Sequence, residues 1–529
     1  MPTVHLEVEK KYAADDLFEL PSLTNLVAGV ADGRGAVVDA GSPVVEGEAV
    51  SQRLAATYFD TADLRLAAAG LTLRRRTGGD DAGWHLKVPA GTGSRSEVRL
   101  PLGRAARTVP EPLRNMVWAH SGGATLRPVA EITTDRTVRR LVDATGQVLA
   151  EVADDRVTAR RLLPTDGSGD AAGAATCWRE VEVELLDGQT DLLEAVDTRL
   201  RAQGLRAAPS SSKLAHLLDG GSGVRRAKGK AAKLTAKSSA GVVVLAHVRE
   251  QVEQVRAQDL PVRLDAPDAV HKMRVATRRL RSALTTFKPL FAAEVVRPLR
   301  GELKWLAGEL GAARDAEVMR DRVREAVQTE NQAVALGSVA DLADAELGEA
   351  YRGAHDRVLA GLDGQRYHRL LGSLEELVAA PPLTERAAAA AGKALPRLVA
   401  RSYAGVRHLV EEAAAKPDGA EREELLHDAR KAAKAARYAG ESVSRVFGAD
   451  ATTFAQAMEA VQEALGEYQD SVLTRERLRD LARATSSTGA AFLYGRLHAL
   501  EEARAQQSQQ RFDDAWTAAG RKGLHRWLR

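Results

Sequence analysis

The chain has 529 residues, too many for one hydrophobic core, so two or three domains are expected. Hydrophobic residues at 44% exclude a chain disordered throughout, while 75 Lys and Arg against 72 Asp and Glu leave a formal charge of +3, so local clustering must identify partners. A single cysteine, Cys177, excludes an intrachain disulfide, no apolar run approaches the ~18 residues of a membrane helix, and no basic-then-apolar signal segment opens the sequence, so a cytoplasmic protein with no membrane partner is expected.

Residues 1–218 carry strand signals. Period-two alternation marks HLEVEKKY (5–12), LTLRRR (71–76), WHLKVP (84–89), SEVRLPL (96–102) and REVEVELL (179–186), separated by turns such as TGGDDAG. Many short strands joined in this way predict an antiparallel sheet or barrel. TDLLEAVDTRLRAQ predicts a helix over 190–203 with Thr190 as its N-cap.

On a strand, Glu7, Glu9 and Lys11 share one face, with Leu6 and Val8 on the other. Glu180, Glu182 and Glu184 likewise stand opposite Val181, Val183 and Leu185. Acids at alternate positions usually form the wet face of a half-buried sheet, but in a closed barrel that face lines the interior. Crowded carboxylates there repel unless divalent ions sit among them, and oxygen-only donors suit Mg²⁺ or Mn²⁺. Cations accompany the acids: Arg74 and Arg76 share a face, and Lys87, Arg95 and Arg136 lie in other strand-like segments. Such a lining suits a metal–polyphosphate substrate, with carboxylates for the metal and Arg and Lys for phosphate oxygens.

Glu7-x-Glu9-x-Lys11, YFDTADLRLAAAGLTLRRR (58–76), WHLKVP, SRSEVRLPL, EVADD (151–155), EVEVEL and the SK of 212–213 occur in an order that resembles the CYTH domains, the triphosphate tunnel metalloenzymes, over about 3–218. The resemblance implies an eight-stranded antiparallel tunnel that hydrolyses or cyclises triphosphate compounds with a divalent metal. It implies Glu7, Glu9, Asp155 and two of Glu180, Glu182 and Glu184 as metal ligands, with Glu97 a further acidic candidate. It implies Lys11, Arg74, Arg76, Lys87, Arg95, Arg136 and Lys213 as phosphate ligands. Two departures are expected to matter. Arg99 stands where many relatives keep an acidic or neutral residue, which shifts the tunnel's charge balance. The Gly- and Ala-rich loop at 163–177 is expected to leave one mouth open.

Residues 219–240 read as a flexible basic linker. After Asp219 they hold Arg225, Arg226, Lys228, Lys230, Lys233 and Lys237 among Gly, Ala and Ser, with no acid. A solvated tether accounts for this better than a specific site. From about 241 to 529 the spacing becomes helical and predicts an all-α domain, broken near Pro381-Pro382 and KPDG at 416–419. This half contains an internal repeat. His271 aligns with His427, Arg274 with Arg430, Arg278 with Lys434 and Arg281 with Arg437, each pair 156 positions apart (427 − 271). LGAARDAEV (310–318) matches LGEYQDSVL (465–473), with Asp315 and Asp470 155 apart (470 − 315). The repeat predicts two bundles of about four helices each, over about 241–385 and 386–529.

HKMRVATRRLR, at 271–281, places five Lys and Arg in eleven positions. At about 100° per residue, Val270, Met273, Thr277, Leu280 and Leu284 form an apolar stripe and His271, Arg274, Arg278 and Arg281 a separate basic one. In the second copy Ala429, Ala433, Ala436 and Gly440 take the packing side, and His427, Arg430, Lys434 and Arg437 the basic side. A solvated helix gains from opposite charges at i, i+4, yet 271–281 and 429–440 contain no acid. Either acids on neighbouring helices, such as Glu302, Glu309 or Glu463, pair with the stripes, or the stripes bind an anion. A long, densely charged anion would be nucleic acid or inorganic polyphosphate. Aromatics at 4%, with only Tyr438 at a stripe edge, favour phosphate over base stacking and argue against nucleic acid. One histidine per helix, without a second ligand at i+4, argues against a metal site there.

HKMRVATRRLR, WLAGELGAARDAEV, LHDARKAAKAARYAGE and ALGEYQDSVL together resemble the CHAD domains, the conserved histidine α-helical domains, over about 241–529. The resemblance implies two four-helix bundles whose basic surface binds inorganic polyphosphate. It implies His271, Lys272, Arg274, Arg278, Arg281, His427, Arg430, Lys431, Lys434 and Arg437 as contacts. The expected whole is a multidomain α+β protein, a β-barrel tunnel followed by an all-α domain. Its expected activity is Mg²⁺- or Mn²⁺-dependent hydrolysis of tripolyphosphate and short polyphosphate. The helical half would hold polyphosphate, in the cytoplasm or at polyphosphate granules. A non-catalytic polyphosphate-binding protein and an organic triphosphatase or adenylyl cyclase are the alternatives.

Overall fold

The computed structural model describes residues 3–24, 45–91, 94–103, 107–162, 174–219, 233–330, 337–417, 419–486 and 488–529. Residues 163–173 of the Gly- and Ala-rich loop and 220–232 of the basic linker lie outside the described residues. The chain divides into two compact units, Met1–Lys230 and Ala231–Arg529.

The first unit is built on β1 (Thr3–Ala14), β2 (Val45–Glu46), β3 (Val50–Asp60), β4 (Thr72–Thr77), β5 (Gly83–Gly91), β6 (Ser94–Pro101), β7 (Arg127–Val142), β8 (Val148–Arg161), β9 (Thr176–Leu185) and β10 (Arg206–Ala207). Eight of these close into an antiparallel barrel in the order β1-β6-β5-β4-β3-β7-β8-β9, with β9 returning to β1. The two-residue strands β2 and β10 are additions on β7 and β1. Closure decides what the alternation means. Val181, Val183 and Leu185 of β9 join Tyr12, Val152 and the Leu192, Leu193, Val196 and Leu200 of helix α1 (Thr190–Ala202) in one apolar cluster. That cluster lies outside the barrel wall, so the charged faces of the same strands turn inward. Helix α1 begins one residue earlier in role than the sequence suggests: its N-cap is Gln189, and Thr190 is its first helical residue. A short helix α2 (Lys213–Leu218) packs Leu214 and Leu217 against Ile132, Val157 and Ala159 of the wall. The Ser212 side chain caps it by accepting from the Ala215 N–H.

The second unit is helical: α3 (Ala240–Arg263), α4 (Ala269–Thr286), α5 (Ala293–Glu330), α6 (Gly337–Asp363), α7 (Gln365–Ala379), α8 (Ala391–Ala414), α9 (Ala420–Ala484) and α10 (Thr488–Ala519). Helix α9 is two limbs joined at Gly448, whose φ of 56° suits glycine. The order α3 to α6 thus recurs as α8, the two limbs of α9, and α10, with α7 an addition to the first copy. Val270, Met273, Thr277, Leu280 and Leu284 are buried on α4, as are Ala429, Ala433, Ala436 and Gly440 on α9. A Cβ on Gly440 would lie 3.0 Å from Phe454 and 3.2 Å from the Ala451 carbonyl, so the bare residue permits that close helix approach. Helix α4 packs on the first limb of α9, where Arg279 meets Glu441 at 2.8 Å and lies over the Tyr438 ring. Among the described residues no helix is long and apolar enough to cross a membrane.

Candidate functional site

Inward-facing polar residues leave a cavity of about 270 Å³ through the barrel. Its lining includes Glu7, Glu9, Glu97, Glu182 and Glu184 of the expected acids. It also includes all seven expected cations, Lys11, Arg74, Arg76, Lys87, Arg95, Arg136 and Lys213. Asp155 and Glu180 are buried and do not line it. Tyr58, Arg140 and Glu151 also line it and were not singled out from sequence. Their strand parity with Ala56, Arg136 and Asp155 was the signal that could have found them. Arg99 faces the cavity, contacts Glu97 and lies 3.6 Å from Glu7, adding positive charge there.

The acids form two groups instead of one. In the first, single carboxylate oxygens of Asp155, Glu180 and Glu182 lie within 4.8 Å of one another. The Lys213 ammonium reaches all three, at 2.8, 2.7 and 2.8 Å. Arg136 adds bonds of 2.6 Å to both Asp155 and Glu182, and Lys11 contacts Glu182. Trp178 Nε1 donates to Glu180 at 2.7 Å. Burial opposes ionisation of Asp155 and Glu182, but the surrounding cations outweigh it and hold both carboxyls below their usual range. Lys213 is held well above its usual value by the same carboxylates, against its burial. Three carboxylates therefore face three cations, and this group is nearly neutralised.

The second group comprises Glu7, Glu9, Glu97 and Glu184. Lys87 pairs with Glu7 at 2.5 Å and Lys11 with Glu9 at 3.0 Å. Buried Glu97 is held low, against its burial, by His85 at 3.0 Å together with Lys87 and Arg74. The Glu184 carboxyl has no ion pair or hydrogen bond among the described residues. Burial, then the Glu7 and Glu9 carboxylates, push it up to about 7. Burial, with Glu97 and Glu9 adding to it, also raises Glu7. Lys87, Arg74 and Arg99 offset Glu7 and Glu97, and Lys11 is shared between Glu9 and Glu182, so in this group it is the Glu184 carboxyl that is left without a counter-ion. An all-oxygen donor set that includes a carboxyl without a counter-ion fits a hard divalent cation, so the residues present fit the metal that the tunnel fold implies.

In the helical unit the two basic stripes meet. Arg278 of α4 and Lys434 of α9 occupy equivalent repeat positions, and neither has an ion pair among the described residues. Burial and the guanidiniums of Arg278, Arg430 and Arg274 depress Lys434 to about 7. Burial and Arg274 depress Arg278 to about 10. Acids on neighbouring helices or limbs, Asp315, Glu459 and Asp470, do pair with other members, and Glu441 pairs with Arg437 from within its own limb. Arg274 donates to Asp315 at 3.0 Å, and Arg430 to Gln469 at 3.0 Å and Asp470 at 3.5 Å. Arg437 is held by Glu441 and Glu459, each at 2.7 Å. Of the acids suggested from sequence, Glu302 instead binds Arg366 at 2.7 Å, and Glu463 lines a cavity with Arg430. His271 lies at the exposed surface, and partial desolvation followed by the nearby Arg314 lowers its pKa. His427 is also exposed and contacts Gln469 at 2.7 Å. Lys272 is exposed, Lys431 pairs locally with Asp428, and Arg281 is half-buried near Arg300.

Comparison with known proteins matches the same two regions. The CYTH domain family matches residues 43–217 and the CHAD domain family residues 246–479. Two proteins of Mycobacterium tuberculosis strains, both called uncharacterized, are each 37% identical over 525 residues, covering 97% of this chain and 96% of their own. Among solved structures, PptA from Streptomyces chartreusis is 22% identical over 53% of this chain and 100% of its own, with a TM-score of 0.45. The CHAD domain from the plant Ricinus communis is 24% identical over 56% of this chain and 95% of its own, with a TM-score of 0.41.

Proposed function

The chain belongs to the CYTH and CHAD domain families, and from that premise we propose that its tunnel hydrolyses inorganic triphosphate and short polyphosphate while its helical unit binds inorganic polyphosphate. One observation carries the reading. A single cavity presents nine lysines and arginines beside a cluster of carboxylates in which Glu184 has no counter-ion. Phosphoanhydride hydrolysis asks for both, cations on the phosphoryl oxygens and oxygen donors for a metal.

Glu7, Glu9 and Glu184 would hold the divalent ion, Mg²⁺ or Mn²⁺, with Glu182 at their edge. When bound, that ion supplies neutralisation and polarisation of the phosphate oxygens. Arg74, Arg76, Lys87, Arg95 and Arg99 grip substrate oxygens and stabilise the charge that spreads as the bridging bond breaks. Lys213 and Arg136 are held by the buried triad and present fixed charge at the other side of the lining. Apolar lining is confined to Leu54, Ala56, Ile132, Leu186 and the ring of Tyr58, whose hydroxyl accepts from Arg74 at 3.4 Å, which suits a substrate held by its phosphates. In the helical unit Arg274, Arg278, Arg430 and Lys434 form the polyanion contact, in the cytoplasm or on polyphosphate granules.

Phosphate release from tripolyphosphate, ATP and thiamine triphosphate with Mg²⁺ tests the reading. Tripolyphosphate should be the best substrate, and Glu9→Ala should lose turnover by at least about a hundredfold. Faster release from ATP or thiamine triphosphate would assign an organic substrate. Polyphosphate binding with no metal-dependent turnover would make the protein a polyphosphate holder.

A further inference from the structure

The repeated motifs LGAARDAEV and LGEYQDSVL place a glycine and an aspartate one helical turn apart, at Gly311 and Asp315 on α5 and at Gly466 and Asp470 on the second limb of α9. Across each glycine lies an arginine from the basic stripe. A Cβ on Gly311 would stand 3.5 Å from Arg274 NH2 and 3.7 Å from its Cζ and Nε. A Cβ on Gly466 would stand only 2.9 Å from Arg430 NH2 and 3.2 Å from its Cζ and Nε. Both guanidiniums therefore lie flat over a bare turn of helix. One edge of each is tied down by the polar side chains a turn further on, Asp315 in one copy and Gln469 with Asp470 in the other. In both arginines Nε is buried without a hydrogen-bond partner among the described residues.

Glycine inside a helix weakens it relative to alanine. Its presence at the same place in both copies therefore calls for a local reason, and neither glycine has a positive φ that would supply one. The close arginine is the observed neighbour in each case.

We propose that Gly466, and more weakly Gly311, are positioning residues for the polyanion: each is a seat that fixes one arginine of the basic face, so that its remaining N–H groups present to phosphate. A planar guanidinium held on one edge and one face loses little freedom when it binds, which favours affinity. The inference rests on the reading of the helical unit as a polyphosphate binder. The two copies differ in tightness, so their substitutions should differ in effect.

The test uses the full chain, long-chain inorganic polyphosphate as probe, and thermal denaturation beside the binding isotherm. Gly466→Ala should leave the melting temperature unchanged or higher and weaken polyphosphate affinity roughly tenfold, the scale of one charge-assisted hydrogen bond. Gly311→Ala should weaken it less. Gly308→Ala, where a Cβ would meet nothing within 4 Å, should not change it. In an Arg430→Ala background Gly466→Ala should have no further effect, because the glycine acts through that arginine. Wild-type affinity in Gly466→Ala, or equal weakening with and without Arg430, overturns the seat while leaving polyphosphate binding intact. A wild-type chain that binds no polyphosphate overturns the reading of the helical unit and the seat together.

Discussion

Glu184 and Lys434 are the two residues at which the fold works hardest against ionisation in reach of neutral pH. Glu184, raised to about 7 by burial and by Glu7 and Glu9, favours its protonated form in the folded chain. The folded state then holds more protons than the unfolded one between the ordinary carboxylate range and pH 7, so this residue's contribution to stability declines as pH rises through that window. Glu184→Gln removes the cost. At pH 8 without divalent ions the variant should be more stable than the wild type by on the order of 1–3 kcal/mol. Mg²⁺ should raise the melting temperature of the wild type and not of the variant. An equal Mg²⁺ effect in both would move the metal elsewhere. Lys434 carries the opposite sign: burial and three guanidiniums favour its neutral form above about 7. A bound polyanion restores its charge, so binding takes up a proton at pH 8. Affinity for polyphosphate should fall as pH rises above 7, by up to about tenfold per pH unit. Calorimetry in buffers of different ionisation enthalpy reads that proton directly, and no buffer dependence would exclude Lys434 from the contact.

At the scale of strands and helices, alternation told which residues share a face but not which face is wet. Glu180, Glu182 and Glu184 lie on one side of β9, as the period of two requires. Only closure of the barrel turns that side inward. Only the docking of α2 delivers Lys213 to Asp155, Glu180 and Glu182 and leaves Glu184 without a counter-ion. Neither contact is local in sequence, so no window of residues could have separated the neutralised acids from the unpaired Glu184. The helices behaved in the same way. The apolar and basic stripes of α4 and α9 were legible from helical spacing, and their packed residues are buried where the wheel puts them. Which cations stay unpaired was not legible, because Glu441 reaches Arg279 from another helix while Arg278, one residue earlier, is left bare. Glu441 ties α9 to α4 through Arg279 at 2.8 Å and also holds Arg437 of its own limb at 2.7 Å. Glu441→Gln should therefore cost about 1–2 kcal/mol of stability in denaturant unfolding. It should also strengthen polyphosphate binding, since a negative charge leaves the basic face. Weaker binding would show that the tie matters more to the anion contact than the charge it carries.

For the molecule as a whole, two phosphate-directed units on one chain make a kinetic prediction that neither makes separately. Tripolyphosphate is short enough to be handled by the tunnel unaided, so its kcat and KM should be the same for the full chain and for residues 1–218 produced separately. If the helical unit holds a long polyphosphate as proposed, the tunnel on the same chain meets that polymer at an effective concentration set by covalent linkage and not by the bulk solution. The full chain should then show a KM for long polyphosphate roughly 10- to 100-fold below that of residues 1–218, at unchanged kcat. Adding residues 231–529 as a separate chain should not restore it. Ionic strength provides the control. The proposed helical contact would be electrostatic and would weaken as salt shortens the screening length, so the two KM values should converge in high salt while tripolyphosphate turnover changes less. If the helical unit instead hoards polyphosphate, the full chain will have the higher KM for long chains, and salt will lower it. The sign of the salt effect on KM thus distinguishes a unit that feeds the tunnel from one that withholds substrate from it.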